Sequence, residues 1–230
     1  DAGINFIDTS IDYGRSEEFI GKHISHRRSE FYLASKCGCP TVTKVSGEHV
    51  FTRENIVAGV EQSLKRMRTD HLDIVQFHSS PSKETLKEED AIQTLLHLQQ
   101  QGKIRFLGSS STLPNLADHV AMDVFDEFQI PYSALSREHE IWITRAADAG
   151  IGTVIRGGVA KGQPGEGRGA DDTWAKFDEA GLDSLLDSGE SRTAFMLRFT
   201  LTHPGLHTTI VGTKDSVHLS ENVAAASRGP

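Results

Sequence analysis

The sequence predicts an α/β fold, a (β/α)8 TIM-type barrel whose first strand-helix unit is missing from this chain. Three observations carry that reading. Short apolar runs alternate with helical stretches along the 230 residues, the pattern of a parallel sheet buried on both faces. The first three runs end on side chains that can do chemistry, and barrel enzymes hold their active sites at the C-terminal ends of the strands. The glycine fingerprint G-x-G-x-x-G of a doubly wound dinucleotide-binding sheet does not follow the first run. Seven strand-helix units, with one lost at the start, favour an eight-stranded closed barrel.

Ile4 to Asp8 reads as the first strand, an apolar run closed by a carboxylate. After a turn holding Tyr13 and Gly14, Ser16 can cap a short helix through Phe19 and Ile20, with Glu17 and Glu18 well placed in its first turn. Phe31 to Lys36 is the second strand. Thr52 opens a helix with Ile56, Val57, Val60 and Leu64 on one face. Leu72 to His78 is the third strand, and Ile92, Leu95 and Leu96 mark a helix that stops near Gly102. Ile104 to Gly108 is the fourth strand and runs into Ser109-Ser110-Ser111-Thr112. Pro114 suits the first turn of the next helix, with Leu116 and Val120 facing inward. Glu127 to Ile130 is the fifth strand, and a helix from Ile141 to Ala147 leads to a stop at Gly150. Gly152 to Arg156 is the sixth strand, followed by Gly157-Gly158. Gly162 to Asp172, rich in Gly, Pro and charge, reads as a long loop. Ser191 begins a helix carrying Phe195 and Phe199. Thr208 to Gly212 is the seventh strand, and the last helix sets Leu219, Val223 and Ala226 on one side.

The chain reads as a single barrel domain over residues 1–230, incomplete at both ends. Asp1-Ala2-Gly3 resembles the last turn and glycine stop of a helix, and Asn222 to Ser227 breaks off within a helical pattern. Hydrophobic residues make up 37% and charged residues 24%, enough for a sizeable core. A net charge of -8 argues against nonspecific nucleic-acid binding, which needs Lys and Arg against the phosphates. It leaves room for a local basic pocket. No run approaches the roughly 20 apolar residues that span a bilayer, and no signal peptide opens the chain. Cys37 and Cys39 are too close for an ordinary disulfide and lack zinc spacing. Both are expected as free packing thiols in a reducing, cytoplasmic compartment, with no metal. The histidines other than His78 and His218 show no partner pattern and are expected at the surface.

Asp8-Thr9-Ser10-x-x-Tyr13-Gly14-x-Ser16-Glu17, Lys36 and Asp73-Ile74-Val75-Gln76-Phe77-His78 resemble the aldo-keto reductase superfamily. Gly102-Lys103-Ile104-Arg105, Gly108-Ser109-Ser110, Gln129 with Tyr132, Val211-Gly212 and Glu221-Asn222 follow in the family's order. The resemblance covers nearly the whole chain. It implies reduction of an aldehyde or ketone, a small-molecule carbonyl, by a nicotinamide hydride, with Tyr13, Lys36, Asp8 and His78 as the catalytic positions. The chemistry fits those residue types. The alkoxide left by hydride transfer must receive a proton, and a phenol with a pKa near about 10 is a poor donor at neutral pH. A neighbouring ammonium, Lys36, favours the phenolate, and Asp8 offsets the cost of burying that ammonium. His78 can donate a hydrogen bond to the carbonyl or relay a proton.

The resemblance further implies a cofactor, NADPH before NADH, lying across the ends of the strands. Ser110 and Gln129 match positions that hold the nicotinamide carboxamide. Arg156 stands where many members place a stacking aromatic, and an Arg plane can also stack. Ser111 replaces the usual Asn, and Gly157-Gly158 replace a common Ser-Pro. Gly212, Thr213 and Lys214 precede a helix and suit a phosphate, with His218 beside them for the 2′-phosphate of NADP. Glu221 and Asn222 match adenine contacts. The expectation is an NADPH-dependent carbonyl reductase. The alternative is an NADPH-binding regulatory or redox-sensing subunit with little turnover.

Overall fold

In the computed structural model the described residues are 2–41 and 48–230, so the reading of a helix end at Asp1 begins outside them. The chain divides into two compact units, Asp1–Gln129 and Ile130–Pro230, cut within the fifth strand. Among the described residues no helix is long and apolar enough to cross a membrane.

The first unit runs β1 (Phe6–Asp8), α1 (Ser16–His23), a 3₁₀ segment (Ser25–Glu30), β2 (Tyr32–Cys37), α2 (Arg53–Met67) and β3 (Leu72–Phe77). It continues through α3 (Lys83–Glu88), α4 (Ala91–Gln100), β4 (Ile104–Ser110), α5 (Asn115–Ala121) and into β5 (Glu127–Pro131). Successive strands pair in parallel, with Asp8 opposite Ala34, Lys36 opposite Gln76, Gln76 opposite Gly108, and Ser110 opposite Gln129. Side chains alternate across a strand. This register therefore lines Asp8, Lys36, Gln76, Ser110, Glu127 and Gln129 on one face. Leu33, Ser35, Cys37, Val75, Phe77 and Phe128 take the other, and Ser35 there donates to Glu17 of α1.

α2 forms as its sequence dictates. The Thr52 side chain accepts from the Asn55 amide, and Ile56, Val60, Leu64 and Met67 are buried along one stripe. Arg68 ends the helix in a left-handed conformation with φ 54°. α1 differs from expectation: Ser16 lies inside the helix, with Arg15 at the cap, because the Ser16 hydroxyl accepts from Thr9 Oγ1 at 2.9 Å. Gly21 meets α2 so closely that an added Cβ would sit 2.0 Å from the Arg66 carbonyl oxygen. In α5 the inward position belongs to His119, which is buried, while Val120 is only half-buried. α3 gives no sequence period because Leu86 is its one buried residue; Ser82 starts it by accepting from the Thr85 amide.

The second unit carries the end of β5, α6 (Glu140–Asp148), β6 (Gly152–Arg156), α7 (Asp171–Glu179), α8 (Arg192–Leu201), β7 (Thr208–Thr209) and α9 (Ser216–Arg228). β6 and β7 pair in parallel, Val154 opposite Thr208. The seventh strand is shorter than read, two residues long. α7 begins within the expected loop and packs Trp174 and Phe177 with Leu135 and Met196. On α9 the buried residue is Ala225, while Leu219 and Ala226 are exposed. Within each unit, strand, helix and parallel strand repeat as in a (β/α)8 barrel.

The start of the sheet is pinned by Asp73 on β3. Its carboxylate accepts from the Leu33 amide at 2.8 Å, from Arg28 at 2.6 Å and from Arg105 at 2.6 Å. Burial alone would push this carboxyl up; the Leu33 amide and the two guanidiniums outweigh burial and hold it below its ordinary range. A carboxyl lowered in the folded state gives stability that is complete above its unfolded pKa and lost as pH falls through the folded one. Urea unfolding should therefore show falling stability below about pH 4. Asp73→Asn should cost about 3 kcal/mol at pH 7 and flatten that acid decline; an unchanged acid limb in the variant would refute this assignment.

Candidate active site

The ends of β1, β2 and β3 bring four of the expected residues together. Lys36 points along the sheet face shared with Asp8, and its Nζ donates to Asp8 Oδ1 at 2.8 Å, Asp8 Oδ2 at 2.7 Å and the Thr9 carbonyl at 2.9 Å. All three ammonium protons are used. The Lys36 side chain is 0% exposed and that of Asp8 6%, so this is a buried, fully bonded ion pair. Tyr13 stands above it on the turn after β1, 47% exposed, with its ring centroid 5.0 Å from Lys36 Nζ. The turn closes through the Tyr13 amide to the Ser10 carbonyl and the Ser16 amide to the Tyr13 carbonyl, each 3.1 Å. Gly14 supplies its left-handed step, φ 58°.

His78 follows β3 directly, its amide donating to the Cys37 carbonyl at 3.0 Å. Its ring lies 6.1 Å from that of Tyr13, nearly perpendicular. Gln129 Nε2 donates to Asp8 Oδ1 at 2.9 Å, and Ser110 Oγ donates to Gln129 Oε1 at 3.5 Å. Asp8, Tyr13, Lys36, His78, Ser110 and Gln129 thus form one cluster in the first unit.

Several neighbours escaped the sequence. Glu127 is buried on the same sheet face and accepts from Gln76 Nε2 at 3.1 Å. Burial pushes its carboxyl well up, opposed by Gln76 and reinforced by the Asp8 charge. Gly108 makes the space, since an added Cβ would lie 2.2 Å from Glu127 Oε2. Ser111 Oγ donates to His119 Nδ1 and lies 2.8 Å from Ser109 Oγ, and His119 Nε2 donates to the Pro81 carbonyl at 2.8 Å. Its hydroxyl serves the core, where Ser111 is wholly buried. Burial lowers the His119 imidazole, and His139 and His203 are buried too. The expectation of surface histidines fails at these three: His119 bonds the distant Pro81 carbonyl, His139 lies beside Glu138, and His203 packs edge-on against Tyr132 at 5.3 Å.

A convergence of metal-ligating types was also unforeseen, because its members come from separate loops. One ligand atom each from Asp12, Cys39, His49 and His78 lie within 4.8 Å of one another. Cys37 and Cys39 are both free and buried, as read.

The remaining candidates belong to the second unit. Arg156 is half-buried at the end of β6, its carbonyl accepting from the Tyr132 amide at 3.2 Å. Gly157 takes φ 73°. Gly158 packs on Thr200, whose Oγ1 would stand 2.9 Å from an added Cβ. Gly212, Thr213 and Lys214 are exposed ahead of α9, and His218 and Asn222 are half-buried while Glu221 is exposed. Asp215, which the sequence reading passed over, caps α9 by accepting from the Val217 amide at 2.7 Å. Burial first, and then Glu140, push the Tyr132 phenol up to about 12, so it stays protonated and structural.

A family model described as Aldo/keto reductase family matches residues 1–229. The oxidoreductase YqkF of Bacillus subtilis strain 168 is 29% identical over 98% of this chain and 78% of its own length. The aldo-keto reductase YhdN of the same strain is 32% identical over 70% of this chain and 50% of its own. Among solved structures, the aldo-keto reductase AKR11C1 from Bacillus halodurans, in its holo form, matches with TM-score 0.86 and 27% identity over 100% of this chain and 79% of its own. That likeness bears out the barrel class read from the sequence.

Removing either partner of the Lys36–Asp8 pair leaves a buried charge uncompensated. Lys36→Met and Asp8→Asn are each expected to cost about 3–5 kcal/mol in urea unfolding. The double variant should recover most of that loss; strictly additive losses would show that the pair is not coupled.

Proposed function

The chain belongs to the aldo/keto reductase family, whose members are NAD(P)H-dependent oxidoreductases, and on that premise we propose that it reduces a small-molecule aldehyde or ketone with NADPH. The observation that carries the reading is the buried Lys36 ammonium, clamped by Asp8 and set 5.0 Å from the half-exposed Tyr13 ring. A nicotinamide held at the strand ends would supply the hydride for the carbonyl carbon. The carbonyl oxygen gains negative charge as this happens, and the Tyr13 hydroxyl gives it a proton. The Lys36 ammonium stabilises the phenolate that remains, and Asp8 keeps that ammonium in place. His78 orients the carbonyl by a hydrogen bond that strengthens as charge builds on the oxygen.

The residues present suit the cofactor. Ser110 and Gln129 offer a buried hydroxyl and amide at the strand ends, the donor and acceptor types a carboxamide needs. Arg156 would stack on or flank the ring. Gly212, Thr213 and Lys214, with His218, would take the 2′-phosphate, and Glu221 and Asn222 the adenine. Asp215 already satisfies one amide at that helix end, which puts more of the phosphate recognition on the Lys214 charge. The alternative, an NADPH-binding regulatory subunit with little turnover, draws on Arg156 and on the Ser111 hydroxyl that His119 takes up.

NADPH oxidation against a carbonyl panel decides between them. Tyr13→Phe should lower kcat by about 10²–10⁴-fold with NADPH affinity unchanged, and full turnover in that variant would sink the reading. Tight NADPH binding with negligible wild-type turnover would favour the regulatory alternative. Lys214→Glu should weaken NADPH about tenfold and leave NADH binding unchanged; an equal effect on both would remove the assigned preference for NADPH.

A further inference from the structure

We propose that Asp12, Cys39, His49 and His78 form a binding site for a borderline-soft divalent cation of the zinc type, at the edge of the candidate active site. His78 Nδ1 lies 3.4 Å from Cys39 Sγ and 3.9 Å from Asp12 Oδ2, and one ligand atom from each of the four residues falls within 4.8 Å of the others. Tetrahedral zinc with bonds of roughly 2.0–2.3 Å sets its ligand atoms about 3.3–3.8 Å apart. Two of the separations already match that spacing to within about 0.1 Å. The rest close by side-chain rotation, since Asp12 is exposed and both imidazoles are only half-buried.

The donor set is selective. One thiolate, two imidazoles and one carboxylate suit zinc and neighbouring transition metals, whereas magnesium and calcium prefer oxygen alone. The thiolate and carboxylate together neutralise a divalent charge. The rings of His49 and His78 stand 4.8 Å apart at 88°, which lets each turn a nitrogen to one point without stacking. Supporting contacts are built in: Ser10 Oγ donates to Asp12 Oδ1 and leaves Oδ2 toward His78, and Ser79 Oγ sits 3.0 Å from His49 Nδ1. Such outer hydrogen bonds orient ligands and raise affinity.

Coordination at His78 Nδ1 would leave the ring proton on Nε2. The ring could then donate to a substrate oxygen but not accept a proton. That consequence rests on the reading of His78 given above; cation binding does not.

Cobalt(II) titration of the metal-free full chain tests the site without any turnover. The expected result is saturation at one equivalent, a thiolate-to-cobalt charge-transfer band, and displacement of cobalt by zinc. Cys39→Ser should abolish the band, and His49→Phe, which keeps the ring packing on Phe51, should weaken affinity tenfold or more. Absence of the band in the wild type at one equivalent, or its survival in Cys39→Ser, would overturn the proposal.

Discussion

The buried Lys36–Asp8 pair is the constraint on which the rest of the first unit depends. An ammonium with no exposed surface carries a desolvation penalty of several kcal/mol, and only close, complete bonding offsets it. Both Asp8 oxygens and the Thr9 carbonyl must therefore sit within 3 Å of Nζ. Such precision is beyond a loop. It follows from parallel pairing of β1 and β2 in a register that sets Asp8 opposite Ala34, two residues before Lys36 on the same face. A slip of one residue would turn the whole set toward the helices.

The same logic divides the sheet. The helix-covered face holds the apolar core, with Leu33, Val75, Phe77 and Phe128 almost wholly buried. On the polar face, amides from other strands bond the buried carboxyls: Gln129 donates to Asp8 and Gln76 to Glu127. Two carboxylates on the helix side act as anchors. Asp73 ties β3 to Leu33, Arg28 and Arg105. Glu17 accepts from Ser35 at 2.9 Å, Ser63 at 2.6 Å and Arg66 at 3.2 Å, joining α1 to β2 and α2. Glu17 reads in the sequence as a first-turn charge on a helix; the structure buries it at 1% exposure, so its role is tertiary.

That difference marks what a sequence can carry. β1 to β6 were legible because each is an apolar run bounded by turns, and Asp8, Lys36 and His78 because each stands at the end of one. Thr52, Ser191 and Gly150 punctuated their helices as their chemistry requires. Elements with one or two buried residues, α3 and α7, gave no period. Residues whose partners are remote were also hidden. His119 meets Pro81 and Ser111, Glu127 meets Gln76, and the Asp12, Cys39, His49 and His78 group gathers from three connections, after β1, β2 and β3. No spacing rule on one strand reports such meetings.

The turn from Thr9 to Ser16 shows why the proposed acid and its activator must differ in exposure. A lysine that is to act as a fixed charge attracts a nearby anion more strongly once water is excluded, because Coulomb attraction grows as the local dielectric falls. A tyrosine that is to meet a substrate has to face solvent. At 0% and 47% exposure, Lys36 and Tyr13 occupy opposite ends of that range, although the ammonium lies 5.0 Å from the ring. An exposed side chain on a turn would wander unless the turn were held from below. It is held there: Ile11 is buried against Gly59 of α2, its carbonyl accepts from Arg66 at 3.3 Å, and Thr9 bonds Ser16. Gly59 sits mid-helix at a propensity cost of about 1 kcal/mol, and an added Cβ there would stand 2.9 Å from Ile11 Cδ1. The helix accepts that cost to seat the turn, and the turn in turn fixes the phenol.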